Sequence, residues 1–392
     1  METKAGDPGA FAHFDLNRVE SPSFVVDAAK LRANCQVLAE IRDAAEIKML
    51  GALKAFSMWS TAPIIGEYLD GSCASGLWEA RLAAEYYDGE IATYSPAYKP
   101  NELEEILRLS DHVIFNSPEQ IARAALILDA ARTGGQDFDI GLRLNPMVEC
   151  GEVPKYDPSA PHSRLGFPID QLTEESLDGI DGIHIHNLCE QDFEPLKRTW
   201  DVLFDAIEPW FGQLKWINLG GGHHITRSDY QREELVEFLQ EVKEDTGAEV
   251  IMEPGEAVAL DAAVLVGTLL DTTFNGMPIG ITDISATCHM PDVIEAPYRP
   301  VMLGEIEDEE QIPIRLGGPS CLAGDVIGDY RLPVPAQPGA RFAFLDQAHY
   351  SMVKTNTFNG VKLPSIYLWD SETDALELVK SFDYEDFRDR LS

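Results

Sequence analysis

KMLGALK, residues 48–54, is a short apolar run that ends on a lysine, and it is the first of a series. LDGSCAS (69–75), GEIATYS (89–95), DHVIFNS (111–117), FDIGLRLN (138–145), GIDGIHIHN (179–187), KWINLGGG (215–222) and AEVIMEPG (248–255) follow it, with helical-period segments between them. Eight strand–helix repeats predict an α/β fold built on a closed (β/α)8 barrel of the TIM type. An open doubly wound sheet is the alternative with the same alternation. Helices are expected over 77–87, 118–132 and 229–246, with Ser117 and Ser228 as N-caps of the last two. In a barrel the C-terminal strand ends share one mouth, where active sites form, so Lys54 is a candidate covalent anchor for a carbonyl cofactor.

Beyond Glu256 the texture changes to strand-like runs broken by Gly, Pro and Asp: PIRLGGPS (313–320), DVIGDYRLP (325–333), RFAFLDQAHY (341–350) and LPSIYLWD (363–370). These predict a second, β-rich domain of sandwich or barrel-like form. The early run PSFVVD (22–27) is a candidate to join it. The expected division is residues 1–34 with the β domain, 35–265 as the barrel and 266–392 as the β-rich domain.

The chain has 392 residues, with 67 acidic against 30 basic and a formal charge of −37. Such a charge argues against nucleic acid or an anionic membrane as partner. It fits either a solvated acidic surface or a field that draws in a polycationic substrate. METKAGDPGAFAHFDLN lacks the basic start and apolar core of an export signal, and no apolar stretch is long enough to span a bilayer, so a soluble cytoplasmic protein is expected. Cysteines 35, 73, 150, 189, 288 and 321 show no metal-ligand spacing, which predicts reduced thiols and no structural zinc.

Four strand ends carry expressive chemistry. Burial at the mouth would strip Lys54 of its proton and free the amine for imine formation, unless its head simply reaches solvent. Alternation puts His184 and His186 on one side of their strand, where each alone also fits a satisfied core histidine. Gly220, Gly221 and Gly222, read as leading into a helix, permit close approach to an anion or form a tight turn. Loops after strands 7 and 8 are where barrels bind phosphate. Glu253 can hold a proton on a heteroaromatic nitrogen, keeping that ring an electron sink. Lysine, glycine cradle and carboxylate together specify pyridoxal phosphate better than any one of them alone.

These residues carry a resemblance. GALKAFS at Gly51, HSRLGF at His162, HIHNLCE at His184, NLGGGHHIT at Asn218, EPGEAV at Glu253, ATCHMPD at Ala286, GPSCLAGD at Gly318 and AHYSMVKTNTFNG at Ala348 stand in the order found in one family. The chain resembles the fold type III, barrel-plus-β-domain decarboxylases that depend on pyridoxal 5'-phosphate, which include the ornithine, arginine and diaminopimelate enzymes. Within them it is most similar to the carboxynorspermidine/carboxyspermidine branch. The resemblance implies that Lys54 binds the cofactor covalently, His186 stacks on its ring and Glu253 meets the ring nitrogen. It also implies that Gly221, Gly222 and the Tyr350 hydroxyl bind phosphate, and that Arg143 supports the cofactor-binding carboxylate. Cys321 is similar to a cysteine that reaches across a homodimer interface to protonate the carbon left after carbon dioxide departs, with Asp325 expected at a substrate amine across that interface.

Two departures from the better-known amino-acid decarboxylases stand out. Glu256 occupies the position of a phosphate-gripping arginine, where a carboxylate would repel the anion, so it is expected to face a cationic substrate group instead. HIHNLCE lacks the usual glycine and serine after the histidine. Asp292 is expected to pair with Glu256 in holding polyamine nitrogens. The implied activity is decarboxylation of carboxynorspermidine or carboxyspermidine in polyamine biosynthesis. Alternatives are a decarboxylase of ornithine, arginine or meso-diaminopimelate, or a non-catalytic cofactor-binding regulator. A racemase would place arginine where Glu253 stands.

Overall fold

In the computed structural model, which describes residues 5–151, 154–173, 175–333 and 336–392, the eight expected runs all form strands. They are Lys48–Ala52, Gly71–Ala74, Glu90–Tyr94, His112–Phe115, Asp139–Asn145, Gly182–His184, Trp216–Asn218 and Glu249–Met252. Each pairs in parallel with the next, and the eighth pairs with the first through Met252 opposite Met49. That last pairing closes the barrel and removes the open-sheet alternative.

Closure depends on complementary volumes inside the ring. Trp216 fills the interior, and a Cβ added at Gly182 or Gly141 would lie 2.1 or 2.4 Å from its indole. Leu50, Ala92, Ile114 and Ile251 pack around it. Burial of one large apolar side chain of this kind contributes about 1.5–3 kcal/mol. At the opposite end from the mouth, Asp70, Asp111 and Asp181 each precede a strand and accept the N–H of Met49, Ile91 and Ile140 at 2.9, 2.8 and 2.8 Å. Each aspartate thus ties its own strand entry to the preceding strand.

The helices over Leu77–Tyr86 and Pro118–Thr133 start as expected, the second with Ser117 accepting from Gln120 N–H. The third differs: it runs from Arg232 to Thr246 with Gln231 at its N-cap, so Ser228 caps nothing. Arg232 explains the delay. Its guanidinium donates to the carbonyls of Ile225, Thr226 and Arg227, holding the preceding segment in turns.

The chain divides into two compact units, Ala33–Val258 and Met1–Arg32 with Ala259–Ser392. In the second unit one mixed sheet runs Val326–Tyr330, Ile314–Gly317, Pro278–Thr282, Ala263–Phe274, Ser23–Asp27, Ser365–Asp370 and Ala375–Lys380, with Arg341–Leu345 also on the long fourth strand. Ser23–Asp27 is antiparallel to Ala263–Phe274 and parallel to Ser365–Asp370. Its successive residues serve opposite faces: Phe24 packs with Leu265, Ile284 and Phe344, and Val25 with Phe11, Val264 and Trp369. A sheet covered on both faces reads as continuous apolar sequence, as SFVVD does. Among the described residues no helix is long and apolar enough to cross a membrane.

Candidate active site

The barrel unit brings several of the expected residues together at the strand ends. Lys54 lies two residues beyond the first strand, and its Nζ is 2.9 Å from His186 Nε2. His186 follows the sixth strand, and its ring lies parallel to that of His184, 6.3 Å away, as strand alternation requires. His186 Nδ1 accepts the Gly221 N–H at 2.9 Å. Arg143, buried on the fifth strand, donates to the His186 carbonyl at 2.5 Å and lies 4.5 Å over the Tyr94 ring. Arg143 thus holds the His186 backbone and the Tyr94 side chain, and acts on Glu253 through its charge.

Glu253, the first residue after the eighth strand, is buried. Its Oε1 accepts from Asn218 Nδ2 at 2.7 Å, and its Oε2 is 3.2 Å from His184 Nε2. Asn218 Oδ1 in turn accepts the Gly220 N–H at 2.8 Å, so one side chain links the carboxylate to the glycine turn. Burial alone would raise the Glu253 carboxyl, but His184, Asn218 and, when protonated, Lys54 outweigh it and bring it down to about 2. Burial pushes the Lys54 amine below its ordinary value, opposed by Cys73 and Glu253 and aided by Arg143. It pushes His186 well down too, together with the charges of Lys54 and Arg143. Glu253 stays an anion while Lys54 and His186 are driven toward neutrality.

Three of these neighbours were not assigned roles from sequence. His184 and Asn218 hold Glu253, and both stand at strand ends in the quoted motifs HIHN and NLGGG. Cys73, at the end of the second strand, is held well above the ordinary thiol range by burial and then by Glu253. Its position in LDGSCAS was the available signal.

The glycine turn is tightly constrained. Gly220 and Gly222 have φ of +67° and +93°. A Cβ at Gly221 would sit 2.1 Å from Glu253 O, and one at Gly222 2.1 Å from Leu188 O. No larger residue fits these approaches. The Gly221 N–H is already given to His186, whereas among the described residues the N–H groups of Gly222, His223 and Gly255 meet no protein acceptor. Successive amides in such a turn form an anion-binding nest. The expected helix N-terminus is not part of it, because the helix begins only at Arg232. Glu256 also differs from expectation: it is buried and turned onto His224, with Oε2 2.9 Å from Nε2. The imidazole offers the carboxylate a partner within its own unit.

Tyr350, Cys321, Asp292 and Asp325 belong to the other unit. Cys321 is exposed, and its N–H is held by Asn359 Oδ1 at 2.8 Å. Asp325, expected at a substrate amine, is instead buried. It accepts from Ser285 Oγ at 2.8 Å, Ser320 Oγ at 2.5 Å, Thr287 N–H at 3.3 Å and Ser320 N–H at 3.4 Å. These bonds make it the anchor of the loop that presents Cys321. Asp292 forms an ion pair with Lys354 at 2.6 Å, and Lys354 Nζ also lies 5.5 Å over the Tyr350 ring. Tyr350 has φ of +51°.

No family model matches the chain. It is 38% identical over 384 residues to a carboxynorspermidine/carboxyspermidine decarboxylase of Campylobacter jejuni, covering 94% of this chain and 98% of that protein. The chain belongs to the carboxynorspermidine/carboxyspermidine decarboxylase family. It is therefore a decarboxylase of the fold type III class, whose members depend on pyridoxal phosphate. Another relative of similar likeness is a carboxyaminopropylagmatine decarboxylase of Synechocystis sp., 37% identical over 96% of each chain. Among solved structures, the Campylobacter jejuni carboxynorspermidine decarboxylase complexed with norspermidine matches with a TM-score of 0.86 and 37% identity, over 95% of this chain and 100% of that one. Diaminopimelate decarboxylase of Helicobacter pylori matches at TM-score 0.82 and 16% identity over 96% and 97% of the chains, which shows the shared fold.

Proposed function

We propose that this protein, with pyridoxal 5'-phosphate bound, removes carbon dioxide from carboxynorspermidine or carboxyspermidine as a cytoplasmic homodimer in polyamine biosynthesis. The observation that carries the reading is the convergence of the Lys54 amine, the Glu253 carboxylate and the undonated N–H groups at the glycine turn in one barrel mouth. An amine for an aldehyde, an acid for a ring nitrogen and a nest for a phosphate fit this cofactor in kind and number. When bound, pyridoxal phosphate supplies an aldehyde that condenses with amines and a cationic ring that accepts the electrons released as carbon dioxide leaves.

The chain's own residues do the rest. Lys54 would hold the cofactor through its amine, which burial keeps available for an aldehyde. Glu253, anionic and with acceptor capacity to spare, holds the proton on the ring nitrogen. His186, fixed at its carbonyl by Arg143, packs on the ring face. The N–H groups of Gly222, His223 and Gly255, with the Tyr350 hydroxyl, receive the phosphate. Cys321 of the partner subunit delivers the proton to carbon, on a loop that Asp325 anchors. Asp292 meets a substrate ammonium by exchanging it for Lys354, and the Glu256–His224 pair sets the charge beside the nest.

The test is twofold. Borohydride reduction of the loaded protein should leave a pyridoxyl group on Lys54 by peptide mass, and carbon dioxide should be released from the carboxylated triamines. Modification elsewhere, or turnover of ornithine, arginine or diaminopimelate in preference, would refute the proposal. A second reading is favoured by the 37% identity to the carboxyaminopropylagmatine enzyme. That substrate ends in a guanidinium instead of an ammonium, and a planar fork asks more of its carboxylate partners than a point charge does. The same assay with all three substrates separates the readings, while the one-methylene difference between the triamines is worth only about 1–3 kcal/mol.

A further inference from the structure

The contacts of His186 constrain where its proton sits. Nδ1 accepts the Gly221 N–H at 2.9 Å, so Nδ1 cannot itself carry hydrogen. A doubly protonated ring would set two donors face to face, and so would a neutral ring protonated on Nδ1. The remaining neutral form carries its hydrogen on Nε2, which lies 2.9 Å from Lys54 Nζ. An ammonium has three donors and no acceptor, so it cannot take that hydrogen. Only an uncharged amine, with its lone pair toward the ring, satisfies both contacts.

We infer that in the cofactor-free protein the Gly221 N–H fixes the proton of His186 on Nε2, and that His186 thereby holds Lys54 as a neutral amine, ready to meet an aldehyde. Gly221 is then a positioning residue acting through its backbone. Its place is set by the close approach to Glu253 O that excludes any side chain there. Arg143, donating to the His186 carbonyl, fixes the ring from its other end. The groups facing the amine are Cys73 from the second strand, Arg143 from the fifth, His184 and Cys189 from the sixth strand and the loop after it, and Glu253 from beyond the eighth. His223, beside the glycine turn, faces His186. Of these, Glu253 alone is an anion that favours the ammonium, and it is opposed by the Arg143 guanidinium and by burial. A hydrogen bond given to the neutral form shifts the balance the same way.

This inference deepens the cofactor reading above and rests on it for its purpose, but it can be tested without the cofactor. In cofactor-free protein labelled with 15N-histidine, His186 should show a hydrogen on Nε2 and a bare, hydrogen-bonded Nδ1. Reductive methylation followed across pH by peptide mass should titrate Lys54 below solvent-exposed lysines. His186→Phe keeps an apolar ring but gives the amine no donor, so Lys54 should titrate higher than in the wild type. An imidazolium, a hydrogen on Nδ1, or a Lys54 that labels like exposed lysines would overturn the inference. Should His186→Phe fail to fold, the wild-type resonances and labelling still decide. If both behave as expected while borohydride traps no pyridoxyl group on Lys54, the inference stands and the cofactor assignment fails.

Discussion

Glu253 in the barrel unit and Asp325 in the β unit are both buried carboxylates, and they use their oxygens differently. A carboxylate has about four acceptor positions. Asp325 has two hydroxyls and two backbone amides directed at it from Ser285, Ser320 and Thr287. Glu253 has Asn218, His184 and the weaker Cys73 thiol. One acid is consumed in holding a loop, and the other keeps acceptor capacity that no donor among the described residues fills. An acidic side chain in a family motif can therefore be reactive or architectural, and its donors tell which.

The contrast can be broken most severely at the amine beside Glu253. Lys54→Ala should lower turnover by on the order of 10⁴-fold or more, with the melting temperature essentially unchanged, as steady-state kinetics and calorimetry would show. Next comes the free acceptor itself. Glu253→Gln retains shape and removes charge, and kcat should fall by about 10²–10³-fold. Truncation at Asp325 should act mainly on stability: Asp325→Ala strands the Ser285 and Ser320 hydroxyls at a cost of roughly 2–4 kcal/mol, read as a lower urea midpoint. If Asp325→Ala leaves that midpoint alone and abolishes only substrate binding, the two acids are alike after all.

The smallest effect concerns acid. Burial lowers His223 in the barrel unit to about 3 and His289 in the β unit to about 4. Both folded values lie below the unfolded one near 6.5, so the unfolded chain takes up protons first. Their stabilising share is complete above that pH and declines as pH falls toward 4 for His289 and 3 for His223. Each should cost about 0.7 kcal/mol at pH 6 relative to pH 7. Chemical denaturation at pH 7 and 6, with His223→Gln and His289→Gln compared to the wild type, measures each share.

The barrel was legible because its strands follow one another in sequence, each a compact apolar run ending in chemistry, and their pairing partners are the next runs along. The β unit was less so. Ala263–Phe274 carries exposed residues along its second half, and Pro278–Thr282 is too short and too rich in glycine and proline to announce itself. At the site, motif and strand-end position found Lys54, His186, Glu253 and the glycines. They did not reveal that Glu256 turns to His224, that Asp325 is fully engaged, or that Gly221 spends its amide on His186. Those outcomes depend on which side chains approach across the ring, and spacing along one chain does not encode that.

Ser23–Asp27 lies inside its sheet, with Ala263–Phe274 on one side and Ser365–Asp370 on the other. During synthesis this early strand has no neighbour until the ribosome has passed the whole barrel, and its second edge is covered only once Ser365–Asp370 has emerged. The contiguous barrel sequence can complete its own ring in the meantime. Val26 and Ala263, where the chain departs for the barrel and returns from it, are opposite one another in antiparallel register. The barrel is thus spliced between two adjacent strand ends that a tight hairpin would otherwise join. Replacing residues 28–262 with such a turn would leave every strand of the β sheet with its own partners, and would ask whether the insertion or its host came first as an independent folding unit.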